Sequence, residues 1–204
     1  MNYKNSNLAR DILLCRDCGA SEAYGKPVPG EGPKEAQIVF IGRSPGITEY
    51  QYGRPFIGKG GDLFDKHLGM LGLDRGKLGI INVLNCYKEN DEAPTKLELT
   101  ICRNNFLKRK IQFFDQAKVF FTCGNDSTRI VMNSWSFPSV TKFPSPRRTP
   151  KGKYIFPIFH VGYMLRSLKA KSNFEVFEIK RIKRFLGEYA LEAYNHSRLE
   201  GTKC

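Results

Sequence analysis

Residues 37–46 read QIVFIGRSPG, and this stretch decides the fold. It begins as a short apolar run that ends at Gly42, and the following R-S-P-G cannot easily continue a strand, so a strand and then a turn are predicted. Similar short apolar runs occupy 79–85, 118–123 and 153–159. Apolar runs of this length are consistent with buried strands, and together they favour a parallel sheet in the centre of the molecule.

Segments with helical spacing of apolar residues separate these runs. The predicted helices cover 61–73, 96–115, a short stretch after Asn125, and 173–193. Thr95 is expected to cap the second of them, and the Pro-rich segment 137–150 is expected to be a loop. Strands that alternate with helices predict an α/β fold, a three-layer α/β/α sandwich with a central, mostly parallel four-stranded sheet.

Length and composition predict one globular domain spanning 1–204, because a chain of 204 residues with 41% hydrophobic content can bury a core. No apolar run is long enough for a membrane span, so a soluble protein is expected. The formal net charge is +13, from 33 basic and 20 acidic side chains. Such an excess favours a polyanionic partner, above all a nucleic acid.

Four cysteines have a spacing that indicates a metal centre. Cys15 and Cys18 form a C-x-x-C pair, and Cys86 and Cys102 follow far along the chain. The N-terminal sequence lacks the apolar stretch of a signal peptide, so a reducing cytoplasm is predicted, where such cysteines more often bind metal than form disulfides. The alternative is that they are small buried hydrophobic residues. Four thiolates suit zinc and an iron-sulfur cluster equally, so the spacing leaves the metal open.

Three motifs come directly after predicted strands. They are G-R-S-P-G at 42–46, N-V-L-N-C at 82–86 and H-V-G-Y-M-L-R at 160–166. In open α/β sheets, ligands bind beyond the carboxyl ends of the strands. These motifs are therefore expected to converge on one pocket.

Taken together and in order, these motifs resemble the iron-sulfur, four-cysteine (family 4) uracil-DNA glycosylases of the uracil-DNA glycosylase superfamily. The resemblance covers about residues 10–188 and leaves 189–204 as a C-terminal tail. It rests on the cysteine spacing, on the three motifs above, on G-R-P-F-I-G-K-G-G at 53–61, and on P-T at 94–95. It implies that the chain excises uracil from DNA by hydrolysing the N-glycosidic bond, in base excision repair, without a lyase step.

The resemblance also implies a 4Fe-4S cluster on Cys15, Cys18, Cys86 and Cys102, with structural zinc as the alternative. In that family the cluster is structural and lies away from the reaction. Cys123, which ends a predicted strand, then needs no metal role.

Roles in the pocket follow from the same resemblance. Phe56 is similar to the ring on which the extruded uracil stacks, and Asn82 is similar to the asparagine that reads the uracil edge. His160 resembles the histidine that binds the uracil carbonyl as negative charge grows there. Gly42, Arg43 and Ser44 belong to the segment whose backbone approaches the base. Without the resemblance, a core phenylalanine and an asparagine at a strand end would explain the first two residues.

Further residues are assigned to DNA and to water. Met164 or Leu165 is expected to be the apolar wedge that replaces the extruded base, and Arg166 to hold a phosphate. By the same resemblance, Glu49 aligns with an acidic residue that the family retains, and it is expected to position the water or the sugar. Asp91 occupies the place where the family has an asparagine implicated in catalysis.

Departures from the family pattern keep a second class of function open. Arg43 stands where the family has glutamate, Ser44 replaces Gly or Ala, and Asp91 replaces asparagine. The alternative is a catalytically weakened or inactive DNA-binding module, in a replication complex for example. In either case, the expected partner is DNA, single- or double-stranded. The chain is expected to be monomeric, with room for a repair or replication protein as partner.

Overall fold

The computed structural model describes residues 1–89, 92–134, 138–142 and 145–189. At its centre is one five-stranded sheet with strand order β2-β1-β3-β5-β4. The strands are β1 (Ile38–Gly42), β2 (Gly79–Asn82), β3 (Val119–Cys123), β4 (Arg147–Arg148) and β5 (Tyr154–Ile158). β2, β1, β3 and β5 are parallel neighbours, which confirms the mostly parallel sheet.

The predicted strand number, four, is wrong by one. Within the predicted loop 137–150, Arg147 and Arg148 form a two-residue strand that pairs antiparallel with Ile155 and Tyr154. Both arginines are exposed, so this edge strand lacks the apolar pattern by which the other four were predicted.

Helices cover both faces of the sheet. Each predicted helix corresponds to one or more observed helices, and residues 190–193 of the last predicted helix lie outside the described residues. The observed helices are α1 (Asn7–Leu13), α2 (Ala20–Tyr24), α3 (Ile47–Tyr52), α4 (Gly58–Leu71), α5 (Lys96–Cys102), α6 (Lys108–Phe113), α7 (Asn125–Met132), α8 (Val161–Arg166), α9 (Leu168–Asn173) and α10 (Ile179–Tyr189). Single π-helical turns at 103–107 and 174–178 join α5 to α6 and α9 to α10. None of the helices in the described part of the chain is long and apolar enough to cross a membrane.

Alternation along β1 shows why the molecule has three layers. Ile38 and Phe40 belong to a core on one face of the sheet, whereas Val39 and Ile41 belong to a core on the other. The first core is closed by α4, α8, α9 and α10, and the second by α1, the π-helical turn after α5, and α7. Because side chains alternate along a strand, an entirely apolar strand requires cover on both faces. The predicted α/β/α sandwich is thus confirmed.

Thr95 caps α5 as predicted. Its hydroxyl accepts the Glu98 N–H at 3.2 Å, and the Glu98 carboxylate accepts the Thr95 N–H at 2.6 Å. This reciprocal pair satisfies backbone donors that a helix start leaves free. The helix therefore begins at a fixed point and carries Cys102 at its end.

Candidate active site

A cleft of about 850 Å³ opens at the carboxyl ends of the parallel strands. Seven of the residues assigned from the sequence line it: Arg43, Ser44, Glu49, Phe56, Asn82, His160 and Arg166. Each follows or ends a strand, or lies in the segment just beyond one, which is why the fold collects them at one edge.

Asn82 is the polar group at the floor of the cleft. It is the last residue of β2 and is 4% exposed. Its Nδ2 is buried and has no hydrogen-bond partner among the described residues. A buried amide donor without a partner is costly, so this donor is available to an oxygen of a ligand in the cleft.

Gly42 leaves the space that Asn82 and Phe56 need. A Cβ at Gly42 would lie 2.1 Å from the Asn82 Oδ1 and 2.8 Å from the Phe56 ring. Every side chain larger than hydrogen would therefore displace the floor of the cleft. Gly42 belongs to the site through its missing side chain.

Phe56 is buried and has a left-handed backbone with φ +53°, which is uncommon for a bulky residue. Its ring lies 4.8 Å from the ring of Phe64 and 6.5 Å from that of His160. Strained residues of this kind persist only where the surroundings fix them, and they cluster at functional sites. The Phe56 ring is thus held in place before any ligand binds.

Glu49 holds the segment around Phe56 from inside the cleft. Its carboxylate accepts the N–H groups of Gly46, Phe56 and Ile57. Burial raises the pKa of the Glu49 carboxyl above its usual value, while these N–H groups and the charge of Arg75 act in the opposite direction. The sequence assigned Glu49 to water or sugar, and its backbone contacts were not foreseen.

His160 is the N-cap of α8, and its Nδ1 accepts the Gly162 N–H at 3.1 Å. A nitrogen that accepts a hydrogen bond carries no proton, so the neutral ring has its proton on Nε2 and can donate from there. A Cβ at Gly162 would lie 3.1 Å from the same Nδ1, so glycine suits this contact.

Arg43 does not stand alone at the cleft wall. Its guanidinium lies 3.6 Å from the Asp126 carboxylate at the start of α7, which also lines the cleft. Arg43 carries a positive charge where the family has a negative one, and the Asp126 carboxylate partly neutralises it. Ser44 follows Arg43 along the same wall.

The exposed fractions of Met164 and Leu165 decide which of the two can be the predicted apolar wedge. Met164 is 1% exposed and belongs to the core that α4 and α10 close, so its assignment as a wedge is wrong. Leu165 is 48% exposed and stays the predicted wedge. The turn of the helix explains the difference, because consecutive residues of a helix point in different directions.

Asp91, which was predicted to assist catalysis, lies outside the described residues.

Sequence reasoning missed the far wall of the cleft. Val140 and Thr141 line it, and the Asn125 carbonyl oxygen Oδ1 accepts the Val140 N–H at 2.9 Å. No strand or helix periodicity marks this segment.

Lys88 also lines the cleft, and its Nζ donates to Glu98 Oε1 at 2.9 Å. The sequence did not indicate this buried contact.

None of the four cysteines lines the cleft, and three of them lie near enough to Cys86 for their charges to act on it. The pKa of the Cys86 thiol is raised to about 12, first by burial and then by the negative charge that Cys102, Cys18 and Cys15 carry when ionised. Such thiols do not ionise together unless a positive centre joins them. In the described part of the chain, no three His, Cys, Asp or Glu side chains are placed to hold a single metal ion.

A buried cation accompanies the cysteines. Lys110 is 1% exposed, and its Nζ donates to the Asn82 carbonyl at 2.7 Å and to Asn85 Oδ1. The pKa of Lys110 is lowered to about 8 because burial outweighs the opposing effect of negative charge on Cys102 and Cys86. A buried ammonium needs an anionic neighbour, which thiolates bound to metal would provide. The chemistry of four thiolates beside a buried ammonium suits an iron-sulfur cluster or zinc, but the described side chains are not placed around a single metal ion.

Comparison with known proteins identifies the family. The sequence model of the Uracil DNA glycosylase superfamily matches residues 29–185. The type-4 uracil-DNA glycosylase of Sulfurisphaera tokodaii is 30% identical, over 93% of this chain and 91% of the relative. That of Archaeoglobus fulgidus is 28% identical, over 89% and 93%, and that of Thermotoga maritima is 32% identical, over 84% of both chains. A superfamily match over most of the chain and relatives that align along nearly their whole length show that this chain belongs to the type-4 uracil-DNA glycosylases.

Proposed function

We propose that this protein is a monofunctional uracil-DNA glycosylase, which hydrolyses the bond between uracil and deoxyribose in DNA. The observation that carries the proposal is the buried Asn82 amide, whose Nδ2 has no partner among the described residues at the floor of the cleft. A side-chain amide has a donor and an acceptor side by side, and the edge of uracil has an acceptor and a donor that match them. Membership in the type-4 family supports the same reaction.

The base has to leave the helix before it can reach this amide. The Phe56 ring, fixed beside Asn82, provides a face on which the extruded base stacks. Stacking of a base on an aromatic ring contributes about 1–3 kcal/mol in other nucleic-acid-binding proteins. Recognition therefore combines one ring and one amide.

Bond cleavage leaves negative charge on the uracil, and His160 is the group proposed to stabilise it. The neutral ring donates from Nε2 because Nδ1 already accepts the Gly162 N–H. A fixed donor aimed at developing charge is worth several kcal/mol in enzymes of known mechanism. Water supplies the oxygen that bonds to the sugar carbon, and its proton neutralises the departing base.

Glu49 is proposed to position that water and to face the partial positive charge on the sugar. Its two carboxylate oxygens accept three backbone N–H groups, which leaves one of their four lone pairs to accept a hydrogen bond from water. Asp91 is proposed to assist. Gly42, Arg43 and Ser44 complete the wall beside the base, with the Arg43 charge opposed by Asp126.

DNA is the proposed partner, held on the side of the cleft formed by α8. Exposed Leu165 is proposed as the wedge that fills the gap left by the base, and Arg166 as a phosphate contact. The net charge of +13 supports binding to a polyanion. Monomeric action stays a prediction, and light scattering of the purified chain tests it.

Cys15, Cys18, Cys86 and Cys102 are proposed to hold a 4Fe-4S cluster, with zinc as the alternative. When bound, the cluster supplies a covalent link between the N-terminal segment and the end of α5, and no reaction step is assigned to it. Unpaired cysteines throughout the described residues support the cytoplasm as its compartment. The shared sheet supports one domain over about 10–188, with 189–204 as a tail.

A DNA-binding module without activity is the second candidate, favoured by the arginine at position 43 and by Asp91. The test uses matched oligonucleotides that carry one uracil or one cytosine, incubated with stoichiometric protein and then treated with alkali. The glycosylase proposal predicts strand cleavage and free uracil with the uracil strand alone. DNA binding without any cleavage product would favour the module and overturn the proposal.

A further inference from the structure

One guanidinium fixes the segment that carries Phe56. Arg75 donates from Nη1 to the Phe56 carbonyl at 2.9 Å and from Nη2 to the Pro55 carbonyl at 2.8 Å. Arg75 begins a short 3-10 turn just before β2. The side chain thus ties the start of β2 to the backbone on which the stacking ring is mounted.

Two carboxylates hold Arg75 in turn. Glu31 Oε1 accepts Nη2 at 2.7 Å and Nε at 3.0 Å, and Asp65 Oδ1 accepts Nη1 at 2.8 Å. Glu31 is only 8% exposed, so its contacts with Arg75 are shielded from solvent, whereas the Asp65 side chain is 52% exposed. The rigid, planar fork of arginine makes these five contacts at once, and a lysine ammonium cannot reproduce their geometry.

Glu31 is itself fastened to β2. Its N–H donates to the Ile80 carbonyl at 2.9 Å, and the Ile80 N–H donates to the Glu31 carbonyl at 2.8 Å. β2 ends two residues later in Asn82, which reads the base. The separation of Asn82 from Phe56 is therefore set through Glu31 and Arg75.

Phe56 needs this support because its backbone is strained. Its φ of +53° belongs to the left-handed region, which a bulky side chain rarely adopts. The Glu49 carboxylate binds the N–H of Phe56, and Arg75 binds its carbonyl. Both polar backbone groups of the strained residue are thus held by charged partners, the condition under which such strain persists.

We infer that Arg75 is a positioning residue that keeps the Phe56 ring in place as a preformed platform for the extruded base, and that Glu31 orients Arg75. The inference rests on the proposed function, since the platform is useful only to an enzyme or module that binds an extruded base. Stacking acts on the base both before and during bond cleavage. Its loss therefore raises KM and the inhibition constant of free uracil, and changes kcat little.

Arg75→Ala tests the inference, with Arg54→Ala as the matched control. Arg54 shares the Glu31 carboxylate at 3.0 Å, but its hydrogen bonds among the described residues do not include the two loop carbonyls. Arg75→Ala should raise KM and the uracil inhibition constant by about 10- to 100-fold, the loss expected for one or two charged hydrogen bonds. Added guanidinium ion should restore this variant. Arg54→Ala should stay close to wild type.

Equal constants for the two variants would overturn the inference, as would a fall in kcat at unchanged KM. Melting curves establish that both variants are folded. Should Arg75→Ala fail to fold, Arg75→Lys and Arg54→Lys give the same comparison: a higher KM in Arg75→Lys supports the inference, and equal values overturn it. A wild-type protein without excision or uracil binding would overturn the proposed function and the inference with it.

Discussion

At the scale of single residues, Gly42 and Asn82 show how closely the cleft is packed. A Cβ at Gly42 would lie 2.1 Å from Asn82 Oδ1. Gly42→Ala should therefore displace the amide and lower the single-turnover excision rate by at least about 100-fold, which is ~2.7 kcal/mol of transition-state stabilisation. Forcing a methyl group into packed surroundings should also cost about 1–3 kcal/mol of stability.

Gly69→Ala is the matched control for this prediction. Gly69 lies exposed on α4, and a Cβ there meets no atom within 4 Å. Alanine should stabilise the helix by about 0.5–1 kcal/mol and leave excision unchanged. Normal excision by Gly42→Ala would contradict the packing that we describe for the floor of the cleft.

Glu49 gives a prediction about pH. Burial raises the pKa of its carboxyl, so acidification should protonate it at a higher pH than an exposed glutamate. The excision rate should then fall as pH decreases through this raised pKa. The reason is that only the ionised carboxylate can accept hydrogen bonds both from water and from the N–H groups that fix Phe56. The sign for stability is opposite: a raised pKa favours the protonated folded state, so this group's contribution to stability declines as pH rises through this pKa.

The measurement is the single-turnover rate of wild type and Glu49→Gln between about pH 4 and pH 8. Glutamine cannot ionise, so its profile should be low and should lose the acid limb that belongs to Glu49. An identical acid limb in both proteins would show that another group titrates there. Neither assignment of Glu49, to water or to the Phe56 segment, would then explain the pH dependence.

Which residues meet in the cleft could be predicted from the sequence only where a distinct motif contains the residue. Phe56, Asn82 and His160 were expected in one pocket, and all three line the cleft. The choice between Met164 and Leu165 required the phase of α8 relative to the core, which six residues of sequence do not define.

At the scale of secondary-structure elements, α6 connects the cysteines to the cleft through Lys110. Its ammonium donates to the Asn82 carbonyl at 2.7 Å and to Asn85 Oδ1. Lys110→Met would keep the side-chain volume but leave the Asn82 carbonyl and Asn85 Oδ1 without this donor. It would also remove the positive charge near Cys102 and Cys86. We expect a loss of about 2–4 kcal/mol of stability and, if the four cysteines hold the proposed cluster, its faster release.

Urea denaturation measures the stability, and visible absorbance measures retention of the proposed cluster. Lys108→Met is the control, because Lys108 lies exposed on the same helix. Equal stability and equal cluster retention in the two variants would contradict the role of Lys110 as a buried counter-charge.

The elements themselves were largely predictable. Four apolar runs became the four parallel strands, and Thr95 marked the start of α5. β4 was missed because two exposed arginines have no apolar periodicity, and the π-helical turn at 103–107 leaves no signal in the sequence. α3 and α8 are six residues each, too short for periodicity to reveal them.

At the scale of the whole molecule, an excess of 13 positive charges should dominate binding to DNA. The affinity for single-stranded DNA should fall with salt, with a logarithmic slope of about −0.7 for each phosphate neutralised. Fluorescence anisotropy at several salt concentrations measures the slope. An affinity that does not change with salt would contradict an electrostatic mode of binding.

Long-range contacts were the part of the molecule that the sequence could not predict. Glu31 and Arg75 are 44 residues apart, and Lys110 is 28 residues from Asn82. Only the folded sheet and its helices bring these pairs together. Their residue types are common on protein surfaces, so nothing in the sequence marks them as buried partners.

The central claim is that the Asn82 amide at the floor of the cleft reads uracil. The most direct test is the single-turnover rate of uracil excision by Asn82→Ala beside wild type, with DNA affinity measured for both. We predict a fall of at least about 100-fold, equivalent to ~2.7 kcal/mol, with DNA affinity almost unchanged. An Asn82→Ala protein that excises uracil at the wild-type rate would contradict the claim.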